Sequence, residues 1–160
     1  MGIRYLAISI DAIDYEHLEK GPCPTCGESP RLRELDGEEE ELRKTLDLDK
    51  SWGYLQGIFS KPEKRLAFQL VAGQVTNTPW GWKSYQGLLD PAAVIAIAED
   101  LNAVTLNDVQ EYFAPGGVWS DEPGARDRED CDYVGDYLKQ AREFVSDVAK
   151  EGRSITYFIG

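Results

Sequence analysis

Three cysteines and one histidine supply the metal-binding and thiol chemistry open to this 160-residue chain. Cys23 and Cys26 form a Cys-x-x-Cys inside GPCPTCGESPRLR, residues 21–33. A CPTCG turn has the shape of a zinc knuckle, in which two thiolates face one ion while backbone amides point at the sulfurs. Tetrahedral zinc takes four ligands, and the soft candidates that remain are His17, just upstream, and Cys131, far downstream. There is no second Cys-x-x-Cys. The pair is therefore expected to be two free thiols in a proline-stiffened turn, with no cofactor. A zinc site of Cys23, Cys26, Cys131 and His17 is the alternative. A thioredoxin-type redox pair is disfavoured, because such cysteines open a helix after a strand and these follow a helix.

The single histidine also limits catalysis, since a Ser-His-Asp or Cys-His arrangement would have to use His17. Neither a P-loop, a GxGxxG turn nor a metalloprotease helix occurs, which removes the usual parts of phosphoryl and hydride chemistry. Carboxylates are numerous, but no pair stands out as a glycosidase couple. Asp47 and Asp49 read as helix caps, and Asp121 and Glu122 as solvated loop residues.

Aromatic residues give the stronger signal. Trp52, Trp80, Trp82, Tyr85 and Trp119 are concentrated in the middle of the chain. Trp52 falls on a helical stripe with Leu55 and Phe59 and reads as core. Trp80 and Trp82 lie in PWGWKSY, two apart with a glycine between, and are hard to bury together. Exposed aromatics rimmed by polar groups are typical of interface hot spots, so Trp80, Trp82, Tyr85 and Trp119 form the expected binding surface, with Trp52 added to it where it is not core.

The chain carries 17 basic and 29 acidic residues, a net charge of −12, so its surface repels phosphate backbones and anionic lipid. Neither nucleic acid nor a membrane is an expected partner, whereas a basic protein would be attracted. The N-terminal segment has no basic stretch followed by a long apolar run, and nothing approaches a membrane-spanning length. A cytoplasmic protein with reduced thiols is expected.

The elements that would position these residues can be placed by pattern. IRYLAISI, residues 3–10, reads as a buried strand. Asp11 or Asp14 caps a short helix to Lys20, which Gly21 and Pro22 end. DGEEEELRKTLDL turns helical, with acids at its positive end, and DLDKSWGYLQGIF follows as a short helix capped by Asp47 or Asp49. In KPEKRLAFQLVAGQV, Leu66, Phe68 and Leu70 alternate as in a strand while Leu66, Leu70 and Val71 fit a helical stripe, and the stretch is read as a short helix ended by Gly73. A loop through Pro79 and Gly81 leads to a strand over Tyr85–Leu89. Asp90 as N-cap and Pro91 at the first position start a helix burying Val94, Ile97, Ala98 and Leu101. Thr105 caps LNDVQEYF, and GVWSDEPGARDRED is polar except for Trp119. Val134, Tyr137, Leu138, Ala141, Phe144, Val145 and Val148 mark a long amphipathic helix, which Gly152 ends before a last strand, SITYFI. The sum is one α+β domain over residues 1–160: a small mixed sheet with N-terminal, central and C-terminal strands, covered by several helices.

Taken in order, MGIRYLAISI, LDLDKSWGYLQGIF, LLDPAAVIAIAEDLNAVTLNDVQEYF, GVWSDE and GRSITYFIG resemble the YfbM-like bacterial family, domain of unknown function 1877. The pattern Leu48-Asp49-Lys50-x-Trp52 carries most weight alongside the two ends. The resemblance implies a compact α+β domain of a bacterial or phage protein, without an established activity or catalytic residues. The Cys-x-x-Cys loop is not a hallmark of that family.

The function these features suggest is a non-enzymatic, immunity- or inhibitor-like module that binds a protein partner of basic charge. One alternative is a small-ligand binder or enzyme with a pocket of Trp52, Trp82 and Trp119; another is a zinc-stabilised structural module.

Overall fold

The computed structural model describes residues 3–21, 43–114 and 127–160. A four-stranded sheet in the order β2-β1-β6-β5 is built from β1 (Tyr5–Ile10), β2 (Thr45–Asp49), β5 (Tyr85–Leu89) and β6 (Ser154–Ile159). A hairpin of β3 (Thr76–Thr78) and β4 (Gly81–Lys83) stands apart from it. The described helices are α1 (Ala12–Glu19), α2 (Ser51–Phe59), α3 (Pro91–Ala103), α4 (Leu106–Phe113) and α5 (Asp127–Lys150), and Leu66–Leu70 make a 3-10 turn. The α+β class read from the sequence holds. The main sheet is antiparallel at all three of its interfaces rather than mixed.

Local signals act where they were expected. The Asp11 carboxylate accepts from the Asp14 amide at 2.8 Å to start α1, and Gly21, at φ 69°, takes the left-handed conformation after its end. Asp90 accepts from the Ala93 amide at 2.7 Å with Pro91 beside it, and α3 buries Val94, Ile97, Ala98 and Leu101. Thr105 and Asp108 form a reciprocal capping box at the start of α4. α5 buries Val134, Leu138, Ala141, Val145 and Val148 along one stripe, packed on α3, α4, α2 and the sheet.

Four expectations are corrected. Residues 36–48 were read as helical, but the described part of that stretch enters strand β2. Leu46 and Leu48 face the core while Thr45 and Asp47 face out, and the strand pairs with β1 from Tyr5↔Asp49 to Ile8↔Thr45, with a register shift between Tyr5 and Leu6. Residues 36–42 lie outside the described residues. Asp47 and Asp49 do not cap α2: the N-cap is Lys50, without a side-chain bond, and Asp47 instead accepts from the Asp49 amide at 2.7 Å. The chain leaves β2 through Asp49 at φ 45°, and the Ser51 hydroxyl fastens the corner by donating to the Leu48 carbonyl at 2.7 Å. Finally, the loop before β5 contains the β3–β4 hairpin, and the helix expected before Gly73 is only the 3-10 turn.

One core lies between the sheet's inner face and the helices, and three tyrosines join its layers. Tyr5 stacks on Tyr157 with ring centroids 5.4 Å apart, and Tyr85 lies 6.1 Å from Tyr157 on the other side. The Tyr5 hydroxyl donates to the Leu70 carbonyl at 2.7 Å. The Tyr157 hydroxyl reaches the Gln69 and Ala72 carbonyls at 2.9 and 2.8 Å. Buried carbonyls of the irregular 66–73 stretch thus find their partners on sheet tyrosines. Burial is the first cause that pushes the Tyr5 and Tyr157 hydroxyls well above the ordinary phenol range. Gly87 makes the arrangement possible, because a Cβ there would lie 2.1 Å from Tyr157 Cζ.

Candidate functional site

The hairpin follows from four residues, Thr78-Pro79-Trp80-Gly81. Pro79 fixes its own φ near −65°, and Gly81 adopts φ 118°, which closes the turn between Thr78 and Gly81. The Thr78 hydroxyl donates to the Gly81 carbonyl at 2.7 Å and accepts from the Trp80 amide at 3.3 Å. Trp80 is therefore held at the apex, where its side chain is 97% exposed; Trp82, opposite Asn77 in β4, is 66% exposed. The core offers neither indole a place, and both project among threonines, an asparagine and Lys83.

The other residues expected at a binding surface are placed differently. Tyr85 is half-buried at the start of β5, against the Tyr157 ring. Trp52 is half-buried in the first turn of α2 and packs on the core. Trp119 lies outside the described residues. Trp80 and Trp82 are thus brought together on one hairpin, and Trp52 belongs to another part of the molecule.

Of the possible metal ligands, Cys23 and Cys26 lie outside the described residues. His17 is exposed in the last turn of α1. Cys131 is half-buried near the start of α5, and burial, then the neighbouring Asp132, raise its thiol pKa. Among the described residues, no three His, Cys, Asp or Glu side chains are grouped to hold a metal ion.

Charge sets the hairpin region apart, a feature that a count over the whole chain conceals. Residues 64–89 contain Lys64, Arg65 and Lys83 and no acidic residue, so taking this +3 from −12 leaves −15 on the rest of the chain. Arg65 is paired with Asp100 at 3.3 Å, and Lys64 lies 4.3 Å over the Phe68 ring. Lys83 is the exposed cation of the hairpin. A plot of charge along the sequence could have revealed this window.

A second polar cluster gathers at the β2–α2 corner. The Tyr133 hydroxyl on α5 donates to Asp49 Oδ2 at 3.1 Å. Asp49 Oδ1 is buried without a hydrogen bond and is met by the Arg4 guanidinium at 3.5 Å. Burial and then the bond to Asp49 push the Tyr133 pKa up to about 12. The Leu48–Trp52 pattern therefore forms an architectural corner: Leu48 fills core, Asp49 ties α5 to the turn, and Trp52 packs on the core.

Among the described residues, no helix is long and apolar enough to cross a membrane. The chain is similar in fold to the crystal structure of YfbM from Escherichia coli, a protein of unknown function, with a TM-score of 0.61 and 14% identity over 98% of this chain and 99% of that one. No curated protein is matched. The model of the domain of unknown function DUF1877 matches residues 1–158, and the chain belongs to that family.

Proposed function

We propose that this protein is a non-enzymatic binding module of the cytoplasm that engages a protein partner through the β3–β4 hairpin, with Trp80 and Trp82 as anchors. The observation that carries the reading is the exposure of both indoles on a turn that Pro79 and Gly81 hold clear of the core. Moving the apolar surface of two exposed indoles from water into an interface is favourable, and tryptophan at the centre of an interface is worth about 2 kcal/mol or more. The net charge of −12 favours a basic partner, whose encounter it would accelerate at low salt. An immunity- or inhibitor-like role fits such a surface.

The test compares wild type with the double variant Trp80→Ala/Trp82→Ala as baits in native lysate, with quantitative mass spectrometry of what each retains. The expected result is a protein held by the wild type and lost by the variant, while the thermal midpoint is unchanged. Unfolding of the double variant would show the indoles to be core. Equal retention by both baits would remove the hairpin from the interface.

A further inference from the structure

We propose that Gln56 of α2 is the positioning residue of the tryptophan hairpin: its side-chain amide locks the chain at the foot of β3, so that the hairpin stands as one rigid arm whose direction is fixed by the body of the protein. The carbonyls of residues 69–73, five in succession, all accept from side chains. Gln69 and Ala72 accept from Tyr157 on β6, and Leu70 from Tyr5 on β1. Val71 and Gly73, at the end nearest the hairpin, both accept from Gln56 Nε2, the second at 2.8 Å. Two carbonyls that meet at one atom each need a proton from it. The amide nitrogen of glutamine carries two, whereas a hydroxyl has one and a carboxylate none.

The two legs of the hairpin meet at this point. On one, Gly73 adopts φ 113° and lies against the Tyr85 ring, where a Cβ would come within 2.2 Å of Tyr85 Cδ1. On the other, Tyr85 is paired with Ile159 in the main sheet, and Ser84 sits against Gly160, whose Cβ would be 2.8 Å from Ser84 Cβ. Gln56 therefore holds Gly73 where it touches the first residue of β5. Gln74, Val75 and Ser84 are all that separate these fixed points from the hairpin's own ladder, which begins at Thr76↔Lys83. From Thr76 to Ser84 every residue except Thr78 is exposed, so the core gives the arm little support and its direction is set at the foot. An arm held in this way presents Trp80 and Trp82 in one orientation and loses less freedom on docking. That the two indoles anchor a partner rests on the function proposed above; that Gln56 holds the arm does not.

Backbone amide relaxation by NMR on the full chain alone tests this. In the wild type, residues 76–83 should share the order parameter of β1 and β6, about 0.85. Gln56→Glu keeps the shape of the side chain but has no proton for either carbonyl at neutral pH, and Gln56→Met keeps its length without a donor. In both variants the hairpin should fall as a block below about 0.6 while β1 and β6 are unchanged. Tyr133→Phe, which removes a hydrogen bond elsewhere, should leave the hairpin ordered, so lowered stability alone does not account for the loosening. Wild-type hairpin amides already below about 0.6 would overturn the proposal, as would a hairpin that stays as ordered as the wild type's in either folded variant, or one that loosens equally in Tyr133→Phe. Unfolding of both Gln56 variants would also overturn it, by making Gln56 a prop of the core instead. An arm that depends on Gln56 but retains no protein through Trp80 and Trp82 would leave this inference standing and refute the proposed function; retention through the indoles with an arm indifferent to Gln56 would do the reverse.

Discussion

Gly87→Ala should destabilise this protein by about 3 kcal/mol, although it adds a single methyl group. The new Cβ would lie 2.1 Å from Tyr157 Cζ and 2.2 Å from Cε1, where carbon contacts settle near 3.5–4.0 Å. The ring would have to retreat by roughly 1.5 Å, but its face is stacked on Tyr5 and its hydroxyl is held by the Gln69 and Ala72 carbonyls. Overpacking of this kind costs about 1–3 kcal/mol, and depriving the two carbonyls of the single hydroxyl proton they share adds about 1–2 kcal/mol. The smaller entropy of the unfolded alanine chain returns about 0.4–1 kcal/mol. Gly53→Ala is the control: it lies in α2, nothing stands within 4 Å of its Cβ position, and helix propensity predicts a gain of about 0.5–1 kcal/mol. Urea unfolding followed by tryptophan fluorescence and circular dichroism measures both. With a slope of about 2 kcal/mol/M, the midpoint should fall by about 1.5 M for Gly87→Ala and rise by a few tenths for Gly53→Ala. A loss under about 0.5 kcal/mol at Gly87 would mean that the tyrosine layer yields freely, and the account of how the 66–73 stretch is anchored would be refuted.

Asp14 and Arg43 approach to 2.5 Å with side chains 3% and 10% exposed, so Asp14→Ala, which leaves the guanidinium buried beside a methyl, should cost about 3 kcal/mol in the same unfolding assay. The pH dependence of stability should carry a signature of Tyr133. Its folded pKa is raised from the ordinary 10.0 to about 12, so its contribution is complete below pH 10 and disappears as pH rises toward 12. Tyr133→Phe should therefore lose stability at pH 7 and show a shallower decline between pH 10 and 12 than the wild type, and parallel curves would exclude this origin.

Much of the fold was legible because its signals are local. A helix cap is settled within four residues, so Asp90 with Pro91 and Thr105 with Asp108 mark the starts of α3 and α4 in any context. The apolar stripe of α5 and the β-branched runs of β1 and β6 specify their own periods. The order of these elements also carried the family resemblance. The Trp80 and Trp82 pair was visible as a surface candidate because Pro79 and Gly81 punctuate the chain beside it.

The remainder was decided by contacts between distant residues. Residues 45–49 follow an acidic run that suits a helix start, yet they form a strand because Leu46 and Leu48 fill the core only when the chain pairs with β1. Asp47 and Asp49 sit where caps are common, but the turn at φ 45° assigns them to the corner and to Tyr133 on α5. The roles of the tyrosines and of Trp52 depend on strand order and register. Neither is encoded within a window of a few residues, since both arise when strands far apart in sequence meet and one face of the sheet is buried.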